Sequence, residues 1–468
     1  MTETVPGDGA SAAQSLGLPL PRRTVAVACV LTAMSLVVLD AGMANVALPS
    51  MAGSLRAEPA TVILVVTAYQ TALVMALLPC AALGEQLGYR RVFTWGVGVF
   101  TVASALCALA PSLPLLVAAR FVQGLGGAAV MALGVALLRF SVREDRLGAA
   151  IGWNALTVAL SSAASPTLGA LILAGLNWPW LYWINLPLGA MALVFSHALP
   201  VVRGTGRRVD VLSVALNALA FASLVIGAEL LPAQPYESAL LLTVGVFALV
   251  GLVGREAPKT APMVPLDLLR SPSFRTSVIA SVCCFAGQAA GLVALPFHLQ
   301  HARGQTPLMT GLYMTAWPLS VAACAVVAGR LADRFPTAWL CGLGGLCLAA
   351  GLAATALWPA QSDPRFLIAF MVVCGLGFGL FQTPNNRNMF QSAPAARSGA
   401  AGGMQGTARL TGQTAGAVLM TLLFSTTSLV TAPRIGMGIG AVLALMAGGV
   451  SVLRVAPRAR TPIDQSEW

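Results

Sequence analysis

Leu39-Asp40-Ala41-Gly42-Met43-Ala44-Asn45-Val46-Ala47-Leu48-Pro49 closes an apolar run that begins near Thr24. A run of that length crosses a bilayer as a helix, which sets the Asp40 carboxylate at membrane depth. An ionised side chain there costs roughly 2.5–3.5 kcal/mol on the insertion scale. Such a residue faces a wet cavity, has a partner or exchanges protons, so Asp40 is the first functional candidate.

Working outward from Asp40, the rest of the 468-residue chain has the same character, with 57% hydrophobic and 9% charged residues. Soluble domains carry about 25% charged residues. Continuous apolar runs predict fourteen spans, at about 24–48, 61–83, 92–110, 115–139, 148–176, 181–201, 209–231, 238–254, 276–300, 308–331, 338–358, 365–388, 402–430 and 435–453. The runs do not alternate apolar with polar, which excludes a β-barrel and leaves an all-α polytopic membrane protein. The fifth and thirteenth runs are longer than a bilayer needs.

The net charge of +11 reads as topology and not as a nucleic-acid surface. Of 27 Lys and Arg, 21 fall in the two termini and the even-numbered loops, including Arg22, Arg90, Arg91, Arg143, Arg207, Lys259, Arg334 and Arg458. That asymmetry predicts both termini in the cytoplasm, and the expected location is a bacterial-type inner membrane. Arg22-Arg23 before an apolar run superficially matches a twin-arginine signal, but no small-residue cleavage site follows a short core. Nine cysteines in apolar runs, none at metal-ligand spacing, read as small apolar fillers. The predicted organisation is a disordered tail over 1–23, a six-helix bundle over 24–201, and a linker over 202–275 carrying two inserted helices. A second bundle follows over 276–453 and a tail over 454–468.

The chain repeats itself. Arg146-Leu147-Gly148-Ala149-Ala150 returns as Arg397-Ser398-Gly399-Ala400-Ala401, 251 residues later, and Gly124-Leu125-Gly126 returns as Gly375-Leu376-Gly377 at the same offset. Leu83-Gly84-Glu85-Gln86 matches Leu331-Ala332-Asp333-Arg334. An even number of spans separates each pair, so the copies run the same way through the membrane, as in transporters built of two parallel halves.

Gly124-x-Gly126-x-x-Ala129 formally fits a dinucleotide fingerprint, but no strand precedes it. Small residues at such spacing instead let membrane helices approach closely. Arg120, Gln123, Gly124 and Gly127 share one helical face. The charged loops, with Glu85, Arg90 and Arg91 in the first copy and Asp333 and Arg334 in the second, are candidate gates that would latch one face in one state. Glu229 is expected at a hydrated helix end. No nucleophile with a base, metal site or phosphate loop is present, which argues against an enzyme.

Leu39-Asp40 through Pro49, the two charged loops, Ala119-Arg120-Phe121-Val122-Gln123-Gly124, Asn177-Trp178-Pro179-Trp180 and Ile184-Asn185-Leu186-Pro187 together resemble the major facilitator superfamily, specifically its fourteen-span drug:H⁺ antiporter branch. The first charged loop departs from the family pattern with Glu85 and Gln86, and the second with Pro336. The branch's fifth-helix antiporter motif survives only as Ser161, Ser165, Pro166, Gly169 and Ala170. The resemblance implies two six-helix halves related by a pseudo-twofold axis along the membrane normal, two extra helices between them, and a central cavity bordered by the first and fourth helices. Asp40 and Arg120 would then approach each other. Two readings stand: a static buried ion pair, or a pair in which Arg120 keeps Asp40 ionised until a proton or a cationic substrate shifts the balance.

Gln123, Trp153, Gln288, Trp317, Phe378, Gln382 and Asn386 are candidates for lining that cavity. The region of the second half equivalent to Asp40, Gln288 to Leu292, has no acid. The expected function is proton-coupled export of hydrophobic, cationic small molecules by a monomer in the lipid bilayer, with no cofactor beyond the coupling proton. A same-fold exporter of an endogenous metabolite or siderophore is the alternative, and a non-transporting sensor or scaffold the remoter one.

Overall fold

The computed structural model describes residues 18–202, 210–259, 264, 266–359, 363, 365–393 and 398–453. The 454–468 tail, most of the 1–23 tail, and Arg203, Arg207, Arg208 and Arg397 lie outside the described residues. With no water at bilayer depth, each apolar run satisfies its backbone internally and becomes a helix.

The first six long helices are α1 Arg22–Leu55, α2 Leu64–Leu87, α3 Tyr89–Ala108, α4 Leu113–Ser141, α5 Glu144–Gly175 and α6 Asn185–Phe195. The next two are α7 Val211–Leu230 and α8 Pro235–Glu256. The last six are α9 Pro272–Phe297, α10 Pro307–Leu331, α11 Thr337–Leu357, α12 Phe366–Gln391, α13 Ser398–Thr426 and α14 Thr431–Val452. Short turns at Pro59–Val62 and Trp180–Trp183 lead into α2 and α6, and a π turn at His298–Ala302 extends α9. Among the described residues, thirteen helices are long and apolar enough to span a membrane. The remaining one, α13, is 29 residues long, but Gly, Thr, Gln and Arg409 dilute its apolar content. The first span is longer than its apolar run suggests. Asp40 therefore stands fifteen residues from the helix end at Leu55, and not the eight expected from the run.

Helix pairing repeats with the sequence. In the first six helices α1 packs on α5 and α6, α2 on α4, and α3 on α4 and α6. Eight helices later α9 packs on α13 and α14, α10 on α12, and α11 on α12 and α14. The repeated glycines explain why. A Cβ on Gly124 would fall 2.4 Å from the Tyr69 carbonyl oxygen of α2, and one on Gly126 would fall 2.6 Å from the Phe100 nitrogen of α3. Their counterparts Gly375 and Gly377 meet the Trp317 carbonyl oxygen of α10 at 2.3 Å and the Leu348 nitrogen of α11 at 2.3 Å. Only glycine lets α4 and α12 touch two neighbours at backbone range.

The halves meet along two equivalent seams, α5 on α10 and α13 on α2, with α1 also touching α9. The inserted α7 and α8 pack on each other, and α7 leans on α2 and α13. Asp210, one residue before α7, caps that helix by accepting from the Leu212 and Ser213 amides, and pairs with Arg255 (2.9 Å) and Lys259 (2.6 Å). Glu229 is half-buried, and its Oε1 is enclosed without a hydrogen-bond partner.

Candidate functional site

Asp40 and Arg120 meet. α1 brings the carboxylate inward and α4, held against α2 by Gly124, brings the guanidinium, so that Arg120 Nη1 donates to Asp40 Oδ2 at 2.5 Å. Both are buried, at 2% and 1% exposure, so the pair does not open on a central cavity as the sequence suggested. Asp40 Oδ1 accepts from Gln123 Nε2 (3.0 Å) and from Asn185 Nδ2 of α6 (2.7 Å). Gln123 also donates to Ser104 Oγ of α3 (2.8 Å), while its Oε1 accepts from Arg120 Nη1 (2.6 Å). Arg120 Nε donates to the Val65 carbonyl oxygen at 3.0 Å. Its guanidinium lies over the Tyr69 ring at 4.2 Å and the Tyr182 ring at 5.6 Å.

Five helices and two aromatic faces thus close around one ion pair. Three charge-assisted donors on the carboxylate offset much of its desolvation, and the rings face a flat cation with their negative quadrupole. The arrangement surrounds a buried carboxylate with donors on both of its oxygens. Sequence reasoning found Asp40, Arg120 and Gln123 but missed Ser104, Tyr69, Tyr182 and Asn185 as members. Asn185 carried a usable signal, a lone amide inside an apolar run; Tyr69 and Tyr182 carried none.

The remaining candidates scatter. Trp153 is 60% exposed on α5. Trp317 is 1% exposed and Phe378, edge-on to Phe285 at 5.1 Å, is 3% exposed, so both are packing residues and not cavity lining. Gln288, Gln382 and Asn386 are half-buried, and Asn386 Oδ1 is unpartnered.

The fifth-helix motif works on two faces. Ser161 hydrogen-bonds Ser35, Ser165 sits where any Gly42 side chain would go, and Gly169 lies against Met43, all on α1. On the other face the Pro166 carbonyl oxygen is 2.5 Å from a Cβ built on Gly311 of α10. The two charged loops differ. Among the described residues Arg90 and Arg91 form no ion pair, and Asp333 pairs with Arg387 of α12 (2.5 Å), while Arg334 is exposed. Residue 387 is a helical neighbour brought to Asp333 by the α10–α12 contact, which spacing along the loop does not reveal. Gly88, at φ +100°, makes the sharp α2–α3 turn that holds the first loop.

The model of the Major Facilitator Superfamily matches residues 30–416, with a second match over 277–467. The chain is 42% identical over 457 residues to the Uncharacterized transporter YebQ of Escherichia coli (strain K12), covering 96% of this chain and 99% of that one. It is 32% identical over 413 residues to the Multidrug resistance protein Stp of Mycobacterium tuberculosis (strain ATCC 25618 / H37Rv), covering 86% and 76%. A crystal structure of a POT family transporter in complex with a thioalcohol-conjugated peptide superposes with a TM-score of 0.72 at 14% identity, over 93% of this chain and 98% of the other.

Proposed function

Since the chain belongs to the major facilitator superfamily, we propose that it is a proton-coupled secondary transporter that exports hydrophobic small molecules across the cytoplasmic membrane by alternating access. The observation that carries this reading is the closed ring around Asp40, a buried carboxylate within a predicted span that is paired with Arg120. Similarity to Stp, whose name records multidrug resistance, supports drug-like cargo.

Protonation of Asp40 removes the charge that Arg120 faces. Arg120 keeps the Val65 carbonyl and Gln123 Oε1, but its tie to α1 weakens. Because α1 also packs on α5 and touches α9, a shift of α1 reaches the seam between the halves. Each proton moving inward gains about 2.3 kcal/mol per 100 mV, enough to couple to uphill export. The positive-inside pattern orients both termini to the cytoplasm in this scheme. A cationic substrate at Asp40 would have to displace Arg120, so the cargo's charge is better sought elsewhere.

Inside-out vesicles given an inward-directed cargo assay and a proton gradient test the proposal. Asp40→Asn should abolish gradient-driven uptake of a transported dye while leaving equilibrium dye binding in place. Undiminished gradient-driven uptake by that variant would sink the coupling role.

A further inference from the structure

Arg409 is a second intramembrane cation, and nothing so far explains it. It stands eleven residues into the 29-residue α13, at roughly 16 Å along the axis, well inside the span. Among the described residues it makes no ion pair and no hydrogen bond, and its Nε is enclosed without a partner. The residue as a whole is only partly buried. A guanidinium held at that depth without a counter-charge is as expensive as Asp40 would be alone. Asp40 has three donors; Arg409 has no acceptor among the described residues.

Its direction is fixed by the glycines around it. Gly412 and Gly416 turn one face of α13 onto α9, against the Val282 and Ala286 carbonyl oxygens. Gly403 and Gly406 turn another onto Leu78 and Leu77 of α2, in the opposite half. Gly406 and Gly412 each lie three residues from Arg409, about 60° to either side of it at 100° per residue. Arg409 therefore points between α9 and α2, into the seam between the halves and away from lipid. Tyr69 of α2, within electrostatic range of Arg409, is 1% exposed, and its unpartnered hydroxyl lies against Gly127 of α4. Arg409 Nε and the Tyr69 hydroxyl are thus both without a hydrogen-bond partner among the described residues.

We propose that Arg409, with the Tyr69 hydroxyl, is the recognition site for an anionic group, a carboxylate or similar monoanion, on the hydrophobic cargo. The inference rests on the exporter reading above and replaces its expected cationic cargo with an anionic one. The guanidinium supplies a planar donor fork suited to a carboxylate, and Tyr69 offers a further O–H. Tyr69 also stacks on Arg120, so an anion seated on its hydroxyl is one ring away from the Asp40 pair.

Two xanthene dyes of opposite charge make the test, fluorescein as the anion and rhodamine 6G as the cation. Purified wild-type protein in detergent should bind fluorescein, read by anisotropy, and bind rhodamine 6G at least about tenfold more weakly. Arg409→Gln should weaken fluorescein binding about tenfold or more, as expected for losing a charge-assisted bond. Arg409→Lys should recover part of it, and Tyr69→Phe should weaken it less. Circular dichroism and elution volume confirm that each variant is folded. If Arg409→Gln does not fold, Arg409→Lys and Tyr69→Phe carry the comparison. Equal fluorescein binding by wild type and the folded variants, or a wild-type preference for rhodamine 6G, overturns the proposal. Vesicle flux separates the two readings. Arg409-dependent binding without proton-driven flux defeats the exporter and keeps the anion site, whereas flux indifferent to Arg409 does the reverse.

Discussion

Asp40 accepts from Arg120, Gln123 and Asn185, so each residue of the ring makes a separable demand on stability. Asn185→Ala removes one neutral donor from a charged acceptor and should lower unfolding free energy by about 1.5–3 kcal/mol while leaving the ion pair. Thermal unfolding in detergent measures it, and an unchanged midpoint would mean that the amide does not serve Asp40. Asp40→Asn is harsher, because it leaves a buried guanidinium uncompensated, a cost of about 3–5 kcal/mol. Pairing it with Arg120→Gln removes both charges. The double variant should regain most of the lost stability yet remain without proton-driven transport, which separates folding from coupling. At this scale the sequence was partly legible. The depth of Asp40 and the shared face of Arg120 and Gln123 follow from helical periodicity, whereas Ser104 and Asn185 join from helices whose rotation no local pattern fixes.

Helices here are joined by glycine contacts and, at one edge, by charge. Gly124 admits no side chain toward α2, so Gly124→Ala should force α2 and α4 apart and cost about 1–3 kcal/mol. Gly438→Ala, where a Cβ meets nothing within 4 Å, is the control and should leave the midpoint in place. At the inserted hairpin, Arg255 first and then Lys259 hold the Asp210 carboxyl below the usual carboxylate range. A depressed folded value stabilises the protein above the ordinary value near 3.9, and the benefit fades as pH falls through the lower folded value. The midpoint gap between wild type and Asp210→Asn should therefore persist from pH 7 to about pH 5 and close only in strong acid. A gap that closed near neutrality would assign it to another group. The fourteen spans were readable because a bilayer demands internally bonded backbone and apolar faces. The length of α1 was not, since the apolar run breaks at Pro49 while the helix continues through Ser50 to Leu55 with Met51 buried.

The whole molecule is two similar bundles meeting at α5–α10 and α2–α13. Thr167 of α5 hydrogen-bonds Thr315 of α10 across the first seam, toward the face opposite the termini. On a background with the native cysteines replaced, Thr167→Cys with Thr315→Cys should crosslink readily, and the crosslinked protein should lose transport and regain it on reduction. Transport unaffected by complete crosslinking would exclude movement at this seam. The repeat, the number of helices, the topology signal and the rarity of buried charge were determined by the sequence alone, because hydrophobic length and charge placement act locally along the chain. Only the tertiary structure decided the partners. Arg120 and Asn185 reach Asp40 from 80 and 145 residues away, Asp333 finds Arg387, and Arg409 is left without an ion pair among the described residues. Those outcomes depend on how closely glycines let particular helices approach and how each helix is turned when it arrives, and that geometry exists only once both neighbours are in place.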